Sequence, residues 1–297
     1  MGGFFGAVSR KNCKYDVFFG TDYHSHLGTK RGGLAFYDTE KGFSRQIHNI
    51  ENTPFRTKFE GDLAKMNGTA GIGAISDTDP QPLLVRSHLG MFAIASVGII
   101  NNMDQIVDET FAAPGHYFMA MSSGKVNDNE LIAALINRCG NLVEGIKFAQ
   151  HLIEGTCTIL LLTEDGIIAA RDKLGRLPIV IGKNDMGHCV SMESFACQKL
   201  GYTPCYNLGP GEIVKITTFG YEQLDAVGRI KNIWYTAIDW VRTVFWSLEM
   251  LITGKAGLAE MSGPVGIVQQ MGEAADAAGS FSGALINLLY FGAFIAV

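Results

Sequence analysis

Side chains capable of anion binding are concentrated in one short stretch near the start of the chain. Between residues 24 and 31 stand two imidazoles, an ammonium group and a guanidinium group, on His24, His26, Lys30 and Arg31. Such a set can bind a phosphate or a carboxylate. The alternative, which we favour, is that these side chains satisfy turn and core hydrogen bonds. A second polar group is open to the same two interpretations and comprises Arg86, Ser87 and His88.

The six cysteines carry no recognisable metal or redox motif. No two of them stand at Cys-x-x-Cys spacing, and no His-Glu-x-x-His occurs in the chain. We therefore expect neither a metal nor a cofactor. Nothing at the N-terminus resembles a secretory signal, so the cysteines are interpreted as reduced core thiols of a cytosolic domain.

The charge pattern argues against nucleic-acid binding. The chain holds 24 basic and 29 acidic side chains, for a net charge of −5. There is no basic run and no stripe of alternating basic and aromatic residues. With 47% hydrophobic and 18% charged residues, the composition is that of a packed protein.

Residues 1–224 show the pattern of an α+β domain. Two segments have helical periodicity, Asn129–Asn137 and Leu142–Ile153. Strands are expected on both sides of this helix pair, which is an α+β order. The expected strands are short apolar runs separated by turn signals, namely Phe4–Val8, Gly33–Tyr37, Leu83–Val85, Phe92–Ile100, Cys157–Leu162, Ile167–Ala170, Ile179–Ile181 and Glu212–Ile216.

The composition changes near residue 225. All seven His and all six Cys precede residue 206, whereas all three Trp follow residue 230. Such segregation would be unusual within one domain. We therefore predict a first domain over residues 1–224, a junction over 225–229 and a separate segment over 230–297.

Four motifs in residues 1–224 resemble, in their order and spacing, the class II glutamine amidotransferase domain of the amidophosphoribosyltransferases. The resemblance implies a four-layer αββα sandwich of the N-terminal-nucleophile type, with two antiparallel sheets between helices. The motifs are the opening Met1–Val8, the loop Ala170–Pro178, the segment Ser191–Gly201 and the late hairpin Leu208–Val214.

The resemblance also implies a set of site positions. In the family, the second residue is a cysteine that attacks glutamine with its own α-amino group as base, whereas this chain has Gly2. The position of the Arg that pairs with the substrate carboxylate is occupied by Ser76, and that of the oxyanion-stabilising Asn by Val97. Two features remain: the N–H of Gly98 and the ammonium-binding carboxylate, Asp128.

These replacements predict a domain that does not hydrolyse glutamine. Loss of one oxyanion donor alone lowers a rate by about 10²–10³, and without a nucleophile covalent catalysis is absent. The altered pocket is left as a candidate site for a different small molecule. No segment after residue 224 resembles a domain that binds phosphoribosyl pyrophosphate, so phosphoribosyl transfer is not expected of this chain.

Two apolar segments follow the junction. Over residues 230–252 apolar side chains recur at helical spacing, which indicates an amphipathic helix that lies either at a membrane interface or against a core. Residues 277–297 carry no charge. They predict a transmembrane helix over about residues 279–297, truncated by the chain end, with a buried C-terminal helix as the alternative.

Residues 229–297 also resemble the C-terminal part of site-2-type intramembrane zinc metalloproteases. The matching stretches are Leu251–Lys255 and Met261–Ile267. The family's zinc chemistry needs a His-Glu-x-x-His helix and a further Asp, and this segment has neither. The segment is therefore not expected to bind zinc or cleave peptide bonds.

Two hypotheses follow for the whole chain. In the first, a glutaminase-like domain without catalysis, over residues 1–224, lies in the cytoplasm and is anchored to a membrane by its tail. In the second, an amidotransferase-type domain is joined artificially to an unrelated piece of a membrane metalloprotease. The sequence leaves self-association into a homo-oligomer open.

Overall fold

The computed structural model describes residues 2–111, 121, 122, 125–224 and four positions between 238 and 245. The chain divides into two units, Met1–Ile230 and Lys231–Val297. All the helices and strands with defined bounds belong to the first unit. The domain boundaries assigned from the sequence stay a prediction.

Seven antiparallel strands form the first sheet, and β1 lies in its middle. All eight residues of this strand are buried, because it has a strand on each side and packed layers above and below. The spatial order is β13-β11-β12-β1-β4-β2-β3, with β1 at Gly2–Ser9, β2 at Arg31–Asp38, β3 at Gly42–Asn49, β4 at Ala70–Ser76, β11 at Val180–Asn184, β12 at Gly187–Ser191 and β13 at Thr203–Asn207.

Six antiparallel strands form the second sheet, in the order β15-β14-β10-β9-β6-β5. They are β5 at Leu83–Ser87, β6 at Gly90–Ile100, β9 at Gly155–Thr163, β10 at Gly166–Ala170, β14 at Ile213–Ile216 and β15 at Tyr221–Gln223. A separate two-stranded ladder joins β7 (Met121–Ser122) to β8 (Lys125–Val126).

Six helices are defined by their bounds, together with a single 3₁₀ turn at Ser25–Leu27. Side-chain caps begin two of them: the side chain of Asn127 accepts the N–H of Asn129, and that of Asn141 accepts the N–H of Glu144. The helices are α1 at Lys14–Asp22, α2 at Phe55–Leu63, α3 at Met103–Phe111, α4 at Asp128–Ile136, α5 at Leu142–Leu152 and α6 at Ser194–Lys199.

Three layers of apolar side chains hold these elements together. The central layer lies between the two sheets and includes Phe4, Ile72 and Leu160. A second layer packs α1, α2 and α6 against the first sheet, and a third packs α3, α4 and α5 against the second sheet. The order is helices, sheet, sheet, helices. The predicted α+β class, with two antiparallel sheets between helices, is confirmed.

Candidate functional site

A row of three residues crosses the first sheet where β1 begins and β4 ends. Gly2 on β1 is the register partner of Ser76 on β4, and Ser76 is the register partner of Arg31 on β2. Register partners present their side chains to the same face of a sheet. Ala74, which precedes Ser76 by two residues, belongs to the central layer. The row therefore faces the second sheet.

Position 2 has no room for a side chain. A Cβ atom placed on Gly2 would lie 2.6 Å from the carbonyl oxygen of Ile75, a backbone atom of the neighbouring strand. Relieving this overlap would require the main chain of β1 or β4 to move. The tight approach agrees with the glycine found here and is incompatible with a cysteine in this backbone.

Ser76 is buried and ends β4. Its Oγ atom accepts the N–H of Thr78 at 3.1 Å and lies 3.2 Å from the Oγ1 atom of that residue. The next residue, Asp77, accepts the N–H of Thr29 at 2.7 Å, and this hydrogen bond lowers the pKa of its carboxyl group. Ser76 thus serves a turn, and its side chain brings no positive charge to the row.

The segment that follows Ser76 connects the first sheet to the second. Asp79 accepts the backbone N–H of Asp128 at 3.0 Å, at the start of α4. The side-chain oxygen of Gln81 accepts both the N–H of Ser96 on β6, at 2.9 Å, and the side-chain amide of Asn129, at 3.1 Å. Residues 77–82 therefore hold the end of β4 close to β6 and the N-terminus of α4.

Val97 and Gly98 lie on β6 and differ in the hydrogen-bond donors that they offer. The Val97 side chain is buried in the central layer, where it can pack but cannot donate a hydrogen bond. Gly98 is the register partner of Cys157 on β9. A Cβ atom on Gly98 would lie 2.0 Å from the carbonyl oxygen of Thr156, so this position requires glycine.

The N–H of Gly98 points away from β9. Backbone N–H groups alternate in direction along an antiparallel strand. Asn101 donates its N–H to Glu154 on the β9 side, whereas Ser96 donates to Gln81 on the opposite side. Gly98 shares the parity of Ser96. Because the pairing with β5 reaches only as far as Ile94, the Gly98 N–H faces a stretch of β6 edge beside which none of the described residues forms a strand.

Asp128 is half-buried at the first turn of α4. Burial raises the pKa of its carboxyl group to about 6, and the negative charge of Asp79 adds to the effect. Two carboxylates that share a site in this way favour a cation between them. Of the predicted site residues, the structure therefore places Gly2 and Ser76 side by side in one sheet, Val97 and Gly98 in the other, and Asp128 beside the connecting segment.

The histidines of the predicted basic cluster are hydrogen-bonded within the protein. His24 is fully buried, with Nδ1 2.7 Å from the oxygen of Gly20 and Nε2 3.1 Å from the Oγ atom of Ser191. Burial lowers the pKa of His24. His26 lies 3.0 Å from the carboxylate of Glu193. These contacts agree with the interpretation that the histidines satisfy local hydrogen bonds.

The second polar group lies elsewhere. Arg86 and Ser87 belong to β5, at the edge of the second sheet, and His88 follows in the turn. Nε2 of His88 lies 3.1 Å from the backbone oxygen of Cys139. This group takes no part in the row formed by Gly2, Ser76 and Arg31.

The loop motif Ala170–Pro178 has a structural role that its sequence did not reveal. Asp172 is buried and accepts the N–H groups of Leu174 at 3.0 Å and Leu177 at 3.2 Å. Arg171 donates to the backbone oxygen of Leu177 in the same loop and to that of Leu208 in the late hairpin. The motif therefore builds a rigid loop rather than a reactive site.

A cavity of about 500 Å³ opens beside the end of β12, between His26, Val180, Met192 and Phe195. No sequence signal indicated it. Over the part of the chain that the structure describes, no group of three or more His, Cys, Asp or Glu side chains is placed to hold a metal ion.

No protein-family model matches the sequence. The amidophosphoribosyltransferase of Methanocaldococcus jannaschii is 28% identical over 228 residues, which cover 73% of this chain and 47% of that protein. The amidophosphoribosyltransferase of Bacillus subtilis is 28% identical over 229 residues, which cover 73% and 46%. The chain thus spans about half the length of the curated relatives it matches.

A solved structure of similar fold is the glutamine phosphoribosylpyrophosphate amidotransferase of B. subtilis complexed with ADP and GMP. It matches with a TM-score of 0.66 and 26% identity, over 74% of this chain and 48% of that one. A second structure, of the allosteric regulatory enzyme of purine biosynthesis, matches with the same values. The chain contains a class II glutamine amidotransferase domain like that of amidophosphoribosyltransferase. The predicted resemblance of residues 1–224 is confirmed at this level.

The predicted membrane location is wrong, for two reasons. The matched proteins are amidophosphoribosyltransferases, and no helix of the described residues is long and apolar enough to cross a membrane. A span needs about 20 residues, whereas the longest helix with defined bounds, α5, has 11. The predicted segments 230–252 and 279–297 lie outside the described residues, apart from four positions in the first.

The similar proteins also do not support the predicted metalloprotease fragment over residues 229–297 or the fusion built on it. The relatives named above are amidotransferases, in sequence and in structure alike. The hypothesis of an artificial join to a membrane protease is therefore not favoured.

Proposed function

We propose that this amidotransferase-type domain binds a small molecule without releasing ammonia from glutamine. The observation that carries the proposal is position 2. Gly2 has no side chain with which to attack, and a Cβ atom there would lie 2.6 Å from the oxygen of Ile75. A class II amidotransferase without a side-chain nucleophile has no covalent route to the acyl intermediate.

Two further positions support the loss of hydrolysis. Stabilisation of a tetrahedral oxyanion requires donors aimed at the developing charge. Val97 supplies no donor, so only the backbone N–H of Gly98 remains of the pair that the resemblance implies. Ser76, in place of a carboxylate-binding Arg, has its Oγ atom bonded within the turn to Thr78. The side chains that the resemblance implies for nucleophilic attack, oxyanion stabilisation and carboxylate binding are thus all replaced.

Ammonia and glutamate production from L-glutamine tests the proposal. The full chain should release no ammonia above a protein-free blank, while the B. subtilis relative, assayed in parallel, provides the positive control. We expect Gly2→Cys to stay silent as well, because its Cβ atom cannot be placed without moving β4 and because Ser76 leaves the carboxylate unpaired.

The outcomes separate the causes of inactivity. Ammonia release that scales with the concentration of the wild-type chain would refute the proposal. Activity in Gly2→Cys, with a silent wild-type chain, would support the missing nucleophile and would assign the loss to residue 2 alone. Circular dichroism of both proteins confirms that each is folded.

A further inference from the structure

The cavity beside the end of β12 opens on the helix side of the first sheet. Val180, in its wall, is the register partner of Ser191, which is in turn the register partner of Phe5. Phe5 belongs to the layer that packs the helices against this sheet, and register partners point to the same face. The cavity is therefore separate from the row that begins at Gly2, which faces the second sheet.

Most of the cavity wall is apolar. Val180 and Met192 contribute buried side chains, and Phe195 of α6 contributes a ring that is 45% exposed. Tyr23 packs edge-to-face against this ring, with 5.5 Å between the centroids, and the Nζ atom of Lys199 lies 5.8 Å from the ring centroid. These contacts hold the Phe195 ring in place. A cavity of about 500 Å³ with such walls has the size and the polarity of a small-molecule site.

Glu193 is the one acidic residue among the described residues that line the cavity. It immediately precedes α6, yet its side chain makes no capping hydrogen bond. Its Oε1 atom lies 3.0 Å from Nε2 of His26, whereas its Oε2 atom has no hydrogen bond to any described residue. The other ring nitrogen of His26 lies 3.1 Å from the backbone oxygen of Tyr23, so the imidazole has no nitrogen left for a ligand. The Oε2 atom of Glu193 can therefore accept from a donor in the cavity.

We propose that this cavity binds a small organic cation with an apolar body, of the class of the arylalkyl amines. The apolar body packs against Val180, Met192 and Phe195, and the ammonium group donates to the Oε2 atom of Glu193. Such a charge-assisted hydrogen bond is stronger in a partly desolvated wall than in water, and the face of an aromatic ring also attracts a cation. The inference is independent of the proposed function, because it concerns the opposite face of the first sheet.

Calorimetric titration of the full chain with phenethylamine tests the ligand class. Two further probes serve as controls: hydrocinnamate keeps the ring but carries a negative charge, and ethylamine keeps the positive charge without the ring. We expect saturable binding of phenethylamine and binding of both control probes that is weaker by about tenfold or more. Absence of phenethylamine binding, or equal affinity for phenethylamine and hydrocinnamate, would overturn the inference.

Glu193→Gln tests the residue that binds the ammonium group. This substitution removes the charge and keeps the size of the side chain, so it should weaken phenethylamine binding by about tenfold or more. Glu222→Gln is the matched control, because Glu222 is an exposed glutamate on β15 of the second sheet, and its affinity should equal that of the wild-type chain. Equal affinity in Glu193→Gln and the wild-type chain would refute the assignment.

Ser194→Trp tests the location of the site. Ser194 lines the cavity and is exposed at the first position of α6, so an indole there would fill the mouth of the cavity without entering the core and should abolish binding. Undiminished binding in this variant would show that the amine binds elsewhere and would overturn the inference. Thermal unfolding of each variant identifies any that is misfolded, and Ser194→Trp carries the test if Glu193→Gln is destabilised. Ammonia release from glutamine, which decides the proposed function, has no bearing on these binding measurements.

Discussion

At the scale of single residues, three of the positions that the resemblance implies carry residue types other than those expected. Gly2 and Ser76 are register partners that contribute no nucleophile and no charge, while the charged Arg31 stands on the next strand. The acid that the resemblance implies, Asp128, is retained at the start of α4. Of the positions that the resemblance implies, the acidic one is therefore the same residue type as in the family, whereas positions 2 and 76 differ.

The raised pKa of Asp128 predicts how the stability of the protein depends on pH. Its folded-state pKa is raised from 3.8 to about 6 by burial and by Asp79, so the folded protein holds a proton that the unfolded chain releases. The stability that this proton provides is complete below about pH 4 and is lost as the pH rises through 6. Asp128→Asn should therefore be more stable than the wild-type chain at pH 7.

Part of the Asp128 side chain contacts solvent, so screening reduces the effect to about 1–2 kcal/mol. The measurement is urea unfolding without ligand at several pH values, with Asp185→Asn at an exposed turn as the control. Among the described residues, the titratable groups that interact with Asp128 are Asp79 and the Cys157 thiol. A stability difference that does not shrink between pH 7 and pH 4 would contradict the assignment to this carboxyl group.

At the scale of elements, residues 77–82 form the link that leads from β4 to β5 and is hydrogen-bonded to β6 and α4. Gly33 on β2 is in contact with this link, because a Cβ atom there would lie 1.9 Å from the oxygen of Gln81. Gln81 in turn holds Ser96 on β6 and Asn129 on α4. The contact between Gly33 and Gln81 therefore fixes the positions of β2, β6 and α4 relative to one another.

Substitution of this glycine tests the role of the link. Gly33→Ala should lower the free energy of unfolding by about 1–3 kcal/mol, as overpacking does. Gly61→Ala provides the control, since that glycine lies within α2 with nothing within 4 Å of the added atom. The free energy of unfolding of Gly61→Ala should rise by about 0.5–1 kcal/mol because alanine has the higher helix propensity. Urea denaturation measures both changes, and a Gly33→Ala protein as stable as the wild type would show that the link can shift freely.

The elements also show the limits of sequence patterns. The eight predicted strands and both predicted helices are present, because their apolar runs are long or clearly periodic. The strand β4 and the helix α1 are among the elements that the sequence patterns do not predict. Small residues fill β4, which reads Ala-Gly-Ile-Gly-Ala-Ile-Ser, and Gly73 is needed there because a Cβ atom would lie 2.0 Å from Thr21 on α1. Close packing of α1 on β4 therefore removes the apolar signal by which a strand is recognised.

At the scale of the whole domain, the central layer ties the two sheets into one cooperative unit. Leu160 lies fully buried in this layer on β9. Leu160→Ala should lower the free energy of unfolding by about 2–5 kcal/mol through the cavity it leaves. Near- and far-ultraviolet circular dichroism should give the same shifted midpoint, since both sheets share the layer.

The control for the central layer is Leu174→Ala, at a leucine that is 52% exposed on the Ala170–Pro178 loop. It should change stability by less than about 0.5 kcal/mol. Separate midpoints for the two spectral regions in Leu160→Ala would show that the domain does not unfold in one cooperative step, against this interpretation.

The amino-acid sequence alone predicts the class of the fold and the residue types at the positions that the resemblance implies. Gly2 has no side chain, Ser76 carries no positive charge and the side chain of Val97 has no hydrogen-bond donor, and these properties follow from the residue types alone. Apolar periodicity likewise specified the strands and helices that pack on both faces or along one stripe. The position of Arg31 beside Ser76, and the hydrogen bond between Asp79 and the backbone N–H of Asp128, become visible only in the folded structure. Strand register and loop path depend on contacts between residues far apart in the chain, and such contacts leave no local pattern.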